Sequence, residues 1–321
     1  MKDDSSPTLL TIASVDDLFG AVPALLHFHP SESLVLVLVE SGRVEVAARV
    51  DLARVRRRRS LRTALEPLLH RFPESDVLAI AYSGDGRAAW RVLELLRSEV
   101  GERCAVALHA DGRRWYDSPD DVGRPYDPAS TAVAAGAAYA GVEVRGSRAE
   151  LAASLVGTFG RDEREAAMAE VATRWPEGPS REAAGDALLL SWRAGRSLTL
   201  HERCLLAVLA REPEWAERAI LDTTRENAGD RFECWAQVVQ ASPGPMGRGA
   251  LTLLALAAWV RGDGAMAQVC LERLADLSHS DDWTRFVDLA CAMALHPDLW
   301  EEVRSGYLAL AESVAVAAVG T

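Results

Sequence analysis

At 321 residues, with 49% hydrophobic and 26% charged side chains, the chain has the length of two ordinary domains and the balance of a soluble globular protein, not a disordered one. A formal charge of −12 argues against general nucleic-acid or anionic-membrane binding, since both need clustered positive charge. Lys2 is the only lysine, which excludes a Walker A loop, a Schiff-base lysine and a kinase-type strand lysine within these residues.

The first seven residues carry two acids and no apolar stretch, unlike a secretory or transit leader, and the expected location is cytoplasmic. Up to about residue 145, short apolar runs alternate with helical patterns, the mark of a mixed α/β domain. Strands are expected at Thr8–Ala13, Leu34–Val39, Arg43–Val50, Val77–Tyr82 and Cys104–His109. Helices are expected at Val15–Leu26, Ser60–Phe72 and Arg87–Val100, where apolar residues recur at three- and four-residue spacing. Ser41-Gly42 suits a hairpin turn, so the second and third strands should be antiparallel. The run from 77 to 109 reads as a parallel strand-helix-strand crossover. Residues 111–130, broken by Gly, Pro and Asp, suit an ordered loop or a short strand with excursions. The uncharged run 128–142 falls short of the roughly 20 apolar residues of a membrane span. Its alanine-rich part, Ala129–Ala140, suits either a buried helix or a helix that pairs with a second copy, which leaves homo-oligomerisation open.

From about residue 146 to 321 the pattern is all helical, with starts signalled by Ser147 with Glu150, Thr199 with Glu202 and Asp230 with Glu233. Seven of the nine tryptophans lie here, without a shared flanking sequence. An irregular helical domain with tryptophan core anchors is the favoured reading. Leu251–Leu274, with Gly262-Asp263-Gly264 at its turn, resembles a single tetratricopeptide-type hairpin. The five cysteines lack CxxC spacing, which suits buried reduced thiols.

Several motifs invite a chemical reading. Gly84-Asp85-Gly86-Arg87-Ala88-Ala89 follows an expected strand and opens an expected helix, with Asp111 after the next strand. That context suits a phosphate at a helix N-terminus, although the Asp85 carboxylate between the glycines opposes it, and a plain glycine turn is the favoured reading. Arg56, Arg57, Arg58 and Arg59 precede a helix start, where the dipole favours acids; a solvated charged loop is favoured over an anion or acidic-partner patch. His27 and His29 flank Phe28 but find no third ligand by local spacing, so no metal site is expected. His29 near Ser33 suggests a base and a nucleophile, yet the chain has no G-x-S-x-G elbow. After His201-Glu202, Leu205 stands where a zincin helix needs its second histidine. Asp117, Asp120, Asp121 and Asp127 read as a solvated acidic loop, with hard-cation ligation as the alternative.

Phe28-His29-Pro30 with Ser33-Leu34-Val35, then Arg49-Val50-Asp51-Leu52, Asp111-Gly112-Arg113-Arg114-Trp115 and Ala258-Trp259 with Gly262-Asp263-Gly264 occur in an order that resembles the actinobacterial DUF4192 family, a group of unknown function. The resemblance implies a cytoplasmic protein with an α/β N-terminal and a helical C-terminal domain. It implies no activity. Relatives often carry closely spaced cysteines after the Arg-Trp segment; Asp117-Ser118-Pro119-Asp120-Asp121-Val122 contains none, so thiolate or zinc chemistry does not carry over.

Two functional expectations follow. The first is a non-enzymatic interaction or regulatory protein whose helical domain engages a protein partner, with no cofactor. The second is a nucleotide- or phosphate-binding enzyme with His29, Ser33, Gly84, Gly86 and Asp111 around the strand ends.

Overall fold

A computed structural model describes residues 12–175, 178–242 and 244–319. By their internal contacts they fall into two compact units, Met1–Leu151 and Ala152–Thr321. The expected strand Thr8–Ala13 lies outside the described residues up to position 11, and Ile12 and Ala13 are not in a strand.

The N-terminal unit begins with helix α1 (Val15–Leu26), capped by Ser14, whose hydroxyl accepts from the Asp17 amide. Strands β1 (Ser33–Glu40) and β2 (Arg43–Asp51) form the expected antiparallel hairpin. A 3-10 turn, Leu52–Val55, leads to α2 (Arg58–Arg71). Strand β3 (Asp76–Tyr82), helix α3 (Gly86–Val100) and strand β4 (Cys104–Ala110) make the parallel crossover. Two short strands, β5 (Arg114–Tyr116) and β6 (Arg124–Pro125), complete a six-stranded mixed sheet ordered β2-β1-β3-β4-β5-β6. Strand β1 lies between β2 and β3, and its residues from Ser33 to Leu38 are buried on both faces, so that Leu34–Leu38 reads as a continuous apolar run. Helix α4 (Ala132–Tyr139) follows, capped by Thr131 and packed on α1. Thr131 lies where a side chain at Gly20 would stand, so only glycine fits that crossing. The alanine-rich stretch is thus engaged within the unit through buried Val133 and Ala137.

Helix α2 starts two residues earlier than the sequence suggests, which puts Arg58 and Arg59 in its first turn. Its N-cap, Arg57, has extended geometry but no side-chain acceptor. Arg57→Ser should therefore stabilise the protein by about 0.5–1 kcal/mol by satisfying an orphan amide. Denaturant unfolding checks this; an unchanged or lower midpoint would contradict it.

The helical run comprises α5 (Arg148–Ala153), α6 (Arg161–Arg174), α7 (Pro179–Arg193), α8 (Leu200–Leu209), α9 (Pro213–Leu221), α10 (Ala228–Ala241), α11 (Arg248–Arg261), α12 (Gly264–Asp276), α13 (Asp282–Ala292) and α14 (Leu299–Val319). Two expected caps are present: Ser147 accepts from the Glu150 amide, and Thr199 forms a reciprocal box with Glu202. The third expectation is corrected. Helix α10 begins at Ala228, not near Asp230, because Thr224 and Asn227 exchange side-chain-to-backbone hydrogen bonds one turn earlier.

Helix α11 is the axis of this unit, buried at every position from Gly249 to Val260. It meets α12 in the expected hairpin. There Gly262 takes a left-handed φ of 96° and Asp263 accepts from the Met266 amide. Trp215, Trp235, Trp259 and Trp300 are core anchors, while Trp175, Trp192 and Trp283 are half-buried.

All five cysteines are free; Cys204, Cys234 and Cys270 are buried, Cys104 and Cys291 half-buried. Burial pushes Cys204 up to about 11 and Cys234 and Cys291 up to about 12, so little thiolate exists near neutral pH. Disulfide-exchange labelling of the native protein at about pH 8 should be slow and incomplete, with all five thiols reacting once it is unfolded. A fast-reacting native thiol would contradict this packing. No described helix is long and apolar enough to cross a membrane.

Candidate functional site

The carboxyl ends of β3 and β4 are the place where an open α/β sheet can accept a ligand. β1 runs antiparallel to β3, which sets Ser33 opposite Tyr82 and delivers Glu32 to the start of α3. Glu32 has an unusual φ of 42°. Its carboxylate accepts from the Ser83 hydroxyl at 2.9 Å and from the Gly84 amide at 3.0 Å. The amide that would greet a phosphate is therefore engaged by the protein's own anion. Asp85, the N-cap of α3, accepts from the Ala88 amide at 3.1 Å. Both carboxylates serve the positive end of the α3 dipole.

His109, on β4, is buried, and its Nε2 lies 2.8 Å from the Ser83 carbonyl oxygen. A carbonyl only accepts, so Nε2 carries the proton in this contact. The ring stacks on Tyr116 with centroids 5.1 Å apart and meets Trp90 edge-on at 6.3 Å. A β-carbon on Gly86 would come within 3.2 Å of His109 Cε1. Gly86 is thus explained by an imidazole packed against the helix start, whereas open space surrounds Gly84.

Asp111 closes the turn between β4 and β5. One oxygen accepts from the Arg113 and Arg114 amides at 2.8 and 2.7 Å, and the other accepts from the Tyr116 hydroxyl at 2.8 Å. Burial raises its pKa, but these three donors and nearby His109 outweigh that and hold it below the ordinary value. A lowered folded-state pKa adds stability that is present above the unfolded carboxyl range, near 4, and is lost as pH falls through the folded value. Asp111→Asn should accordingly flatten the acid limb of a stability-versus-pH curve, measured by denaturant unfolding. An unchanged acid limb would refute this role.

The expected site residues divide into groups. Gly86 opens α3 and Gly84 lies just before its N-cap, and Asp111 is linked to Gly86 through Tyr116 and His109. Ser33 donates to the Ser31 carbonyl at 2.5 Å and accepts from Arg49 at 2.7 Å, so it is not poised as a nucleophile. His29 stands apart: its side chain is exposed and its backbone amide donates to the Arg145 carbonyl. His27 caps α1 in left-handed geometry. Among the described residues no group of three His, Cys, Asp or Glu is placed to hold a metal ion. Asp117 and Asp121 face Arg124 at 3.1 and 3.8 Å, and Asp127 caps the next turn. Sequence reasoning missed Glu32 and His109; Glu32 lies within the Pro30–Ser33 block, but its role depends on a distant strand pairing.

The remaining features are surfaces. Arg56, Arg57, Arg58 and Arg59 are all exposed, and Arg58 pairs with Glu99. On the helical unit, α13 exposes Leu289 and its C-cap residue Met293 is exposed, and α14 exposes Val303, Tyr307, Leu308 and Leu310. The base of α14 is fixed: Trp300 is buried and donates to the Thr223 carbonyl at 2.7 Å, and Arg304 reaches the Leu221 carbonyl at 3.3 Å. One turn on, Tyr307 donates to Glu217 at 2.8 Å. That bond raises the pKa of the Tyr307 hydroxyl, with Asp282 adding to the effect. Acidic groups therefore flank the exposed apolar side chains.

Neither a curated protein nor a solved structure matches the chain. A family model described as a domain of unknown function, DUF4192, matches residues 16–298, and the chain belongs to that family.

Proposed function

We propose that the protein acts by binding another polypeptide, not by catalysis, and that α13 and α14 present the surface. The carrying observation is the run Ser305–Leu310 of α14, where every residue is exposed although Tyr307, Leu308 and Leu310 are large and apolar. Grouped apolar exposure of this kind marks an interaction site more often than bare surface. Glu217, Asp282 and the exposed Glu302 edge it with negative charge. The partner that fits is an amphipathic helix with an apolar face and basic flanks. The strand-end alternative is less supported, because the Gly84 amide, Ser33 and Asp111 all have partners within the fold.

Affinity capture from the native host, comparing wild type with Leu308→Glu/Leu310→Glu, tests this reading. A partner retained by wild type and lost from the variant is expected. The same proteins captured by both would overturn it.

A further inference from the structure

The N-terminal unit carries a second surface, of opposite charge, that does not depend on the helical-unit reading. Between Arg54 and Arg62 the chain places six arginines in nine residues. Arg54 is 3.4 Å from Asp51 and Arg58 pairs with Glu99. Arg56, Arg57, Arg59 and Arg62 are exposed, and no ion pair involves them among the described residues. The first turn of α2 contains no acid, and Arg57 supplies no cap. Arg56, Arg57 and Arg59 thus lie at the N-terminal end of α2 and Arg62 one turn further on, in a chain of net charge −12. Like charges so placed repel one another and the dipole, and an anionic partner relieves both costs.

We infer that this arginine patch docks a short acidic peptide segment of a protein partner. Arginine forks suit carboxylates in paired geometry. A nucleic acid fits less well, because residues 52–71 contain no Phe, Tyr or Trp on which a base could stack. Asp51, Glu66 and Glu99 also border the patch in sequence or contact. A long phosphate chain would run from the arginines onto these acids, whereas a segment of a few carboxylates stays within the patch. The chain's overall charge does not forbid this, since fields beyond about 8 Å are screened at physiological salt.

Fluorescence anisotropy of labelled octaglutamate with the full-length protein, titrated upward from about physiological salt, tests the patch. Saturable binding that weakens as salt rises is expected. Arg56→Ser/Arg57→Ser/Arg59→Ser/Arg62→Ser should weaken it at least about tenfold, the product of four exposed ion pairs each worth a few-fold. Lysine at the same four positions, which keeps the charge but not the paired geometry, should bind between wild type and the serine variant, and Leu308→Glu/Leu310→Glu should leave binding unchanged, which separates this surface from the helical one. All variants should keep the wild-type circular dichroism spectrum. No saturable binding, equal binding by the serine variant, or tighter binding of a labelled oligothymidylate or of phosphatidylserine vesicles would overturn the inference.

Discussion

Trp300→Ala is expected to destabilise the protein by about 3–5 kcal/mol, the range for deleting a large buried aromatic side chain. Trp300 is fully buried, and its ring lies 6.0 Å from Trp283 and 5.8 Å from Phe286. Alanine removes that packing and strands the Thr223 carbonyl, which accepts from the indole N–H. The effect should reach function, because Trp300 fixes the base of the helix that carries Tyr307, Leu308 and Leu310. Denaturant or thermal unfolding should show a midpoint lower by on the order of 10 °C, with partner capture lost as α14 detaches. Trp300→Phe should retain most of the packing. A change below about 1 kcal/mol for Trp300→Ala would show that α14 is held by other contacts.

Gly249→Ala should cost about 3 kcal/mol or more, near or above the upper end of the usual overpacking range. An added β-carbon would lie 1.9 Å from the Ala210 carbonyl oxygen and 2.5 Å from its carbon. Those are backbone atoms, so no rotamer change relieves the clash and α11 must shift. Since α11 is buried from Gly249 to Val260, the shift would propagate through the unit. Gly262→Ala is the informative control. Nothing lies within 4 Å of its added carbon, and only the left-handed φ of 96° is strained, for roughly 1–2 kcal/mol. Unfolding midpoints should rank wild type above Gly262→Ala above Gly249→Ala. Equal midpoints for the two variants would contradict the close approach at Ala210.

The hairpin at Ser41-Gly42, the β3-α3-β4 crossover and the Gly262 turn were legible because each is local: a turn residue, a period or a cap lies beside the element it shapes. The start of α10 was not. Asp230 and Glu233 mimic a capping pair, whereas Thr224 and Asn227 satisfy the chain one turn earlier. The candidate site shows the same division. Gly84, Gly86 and Asp111 could be picked out in sequence, since a strand-to-helix turn is a local pattern. Glu32 acts there only because β1 pairs antiparallel with β3, a nonlocal fact that no spacing encodes. His109 was hidden for a related reason: it reads as one more residue of an apolar strand, and only the fold sets its ring between Gly86 and Tyr116. The apolar face of α14 was also missed, because periodicity reveals an apolar stripe without revealing whether anything covers it.

Site-specific photo-crosslinking in the native host tests the central claim most directly. A benzophenone amino acid at Leu310, 64% exposed, is compared with one at Val122, 85% exposed. A discrete protein adduct at Leu310 and none at Val122 is the predicted result. No adduct at Leu310, or matching adducts at both positions, would contradict a partner surface on α14.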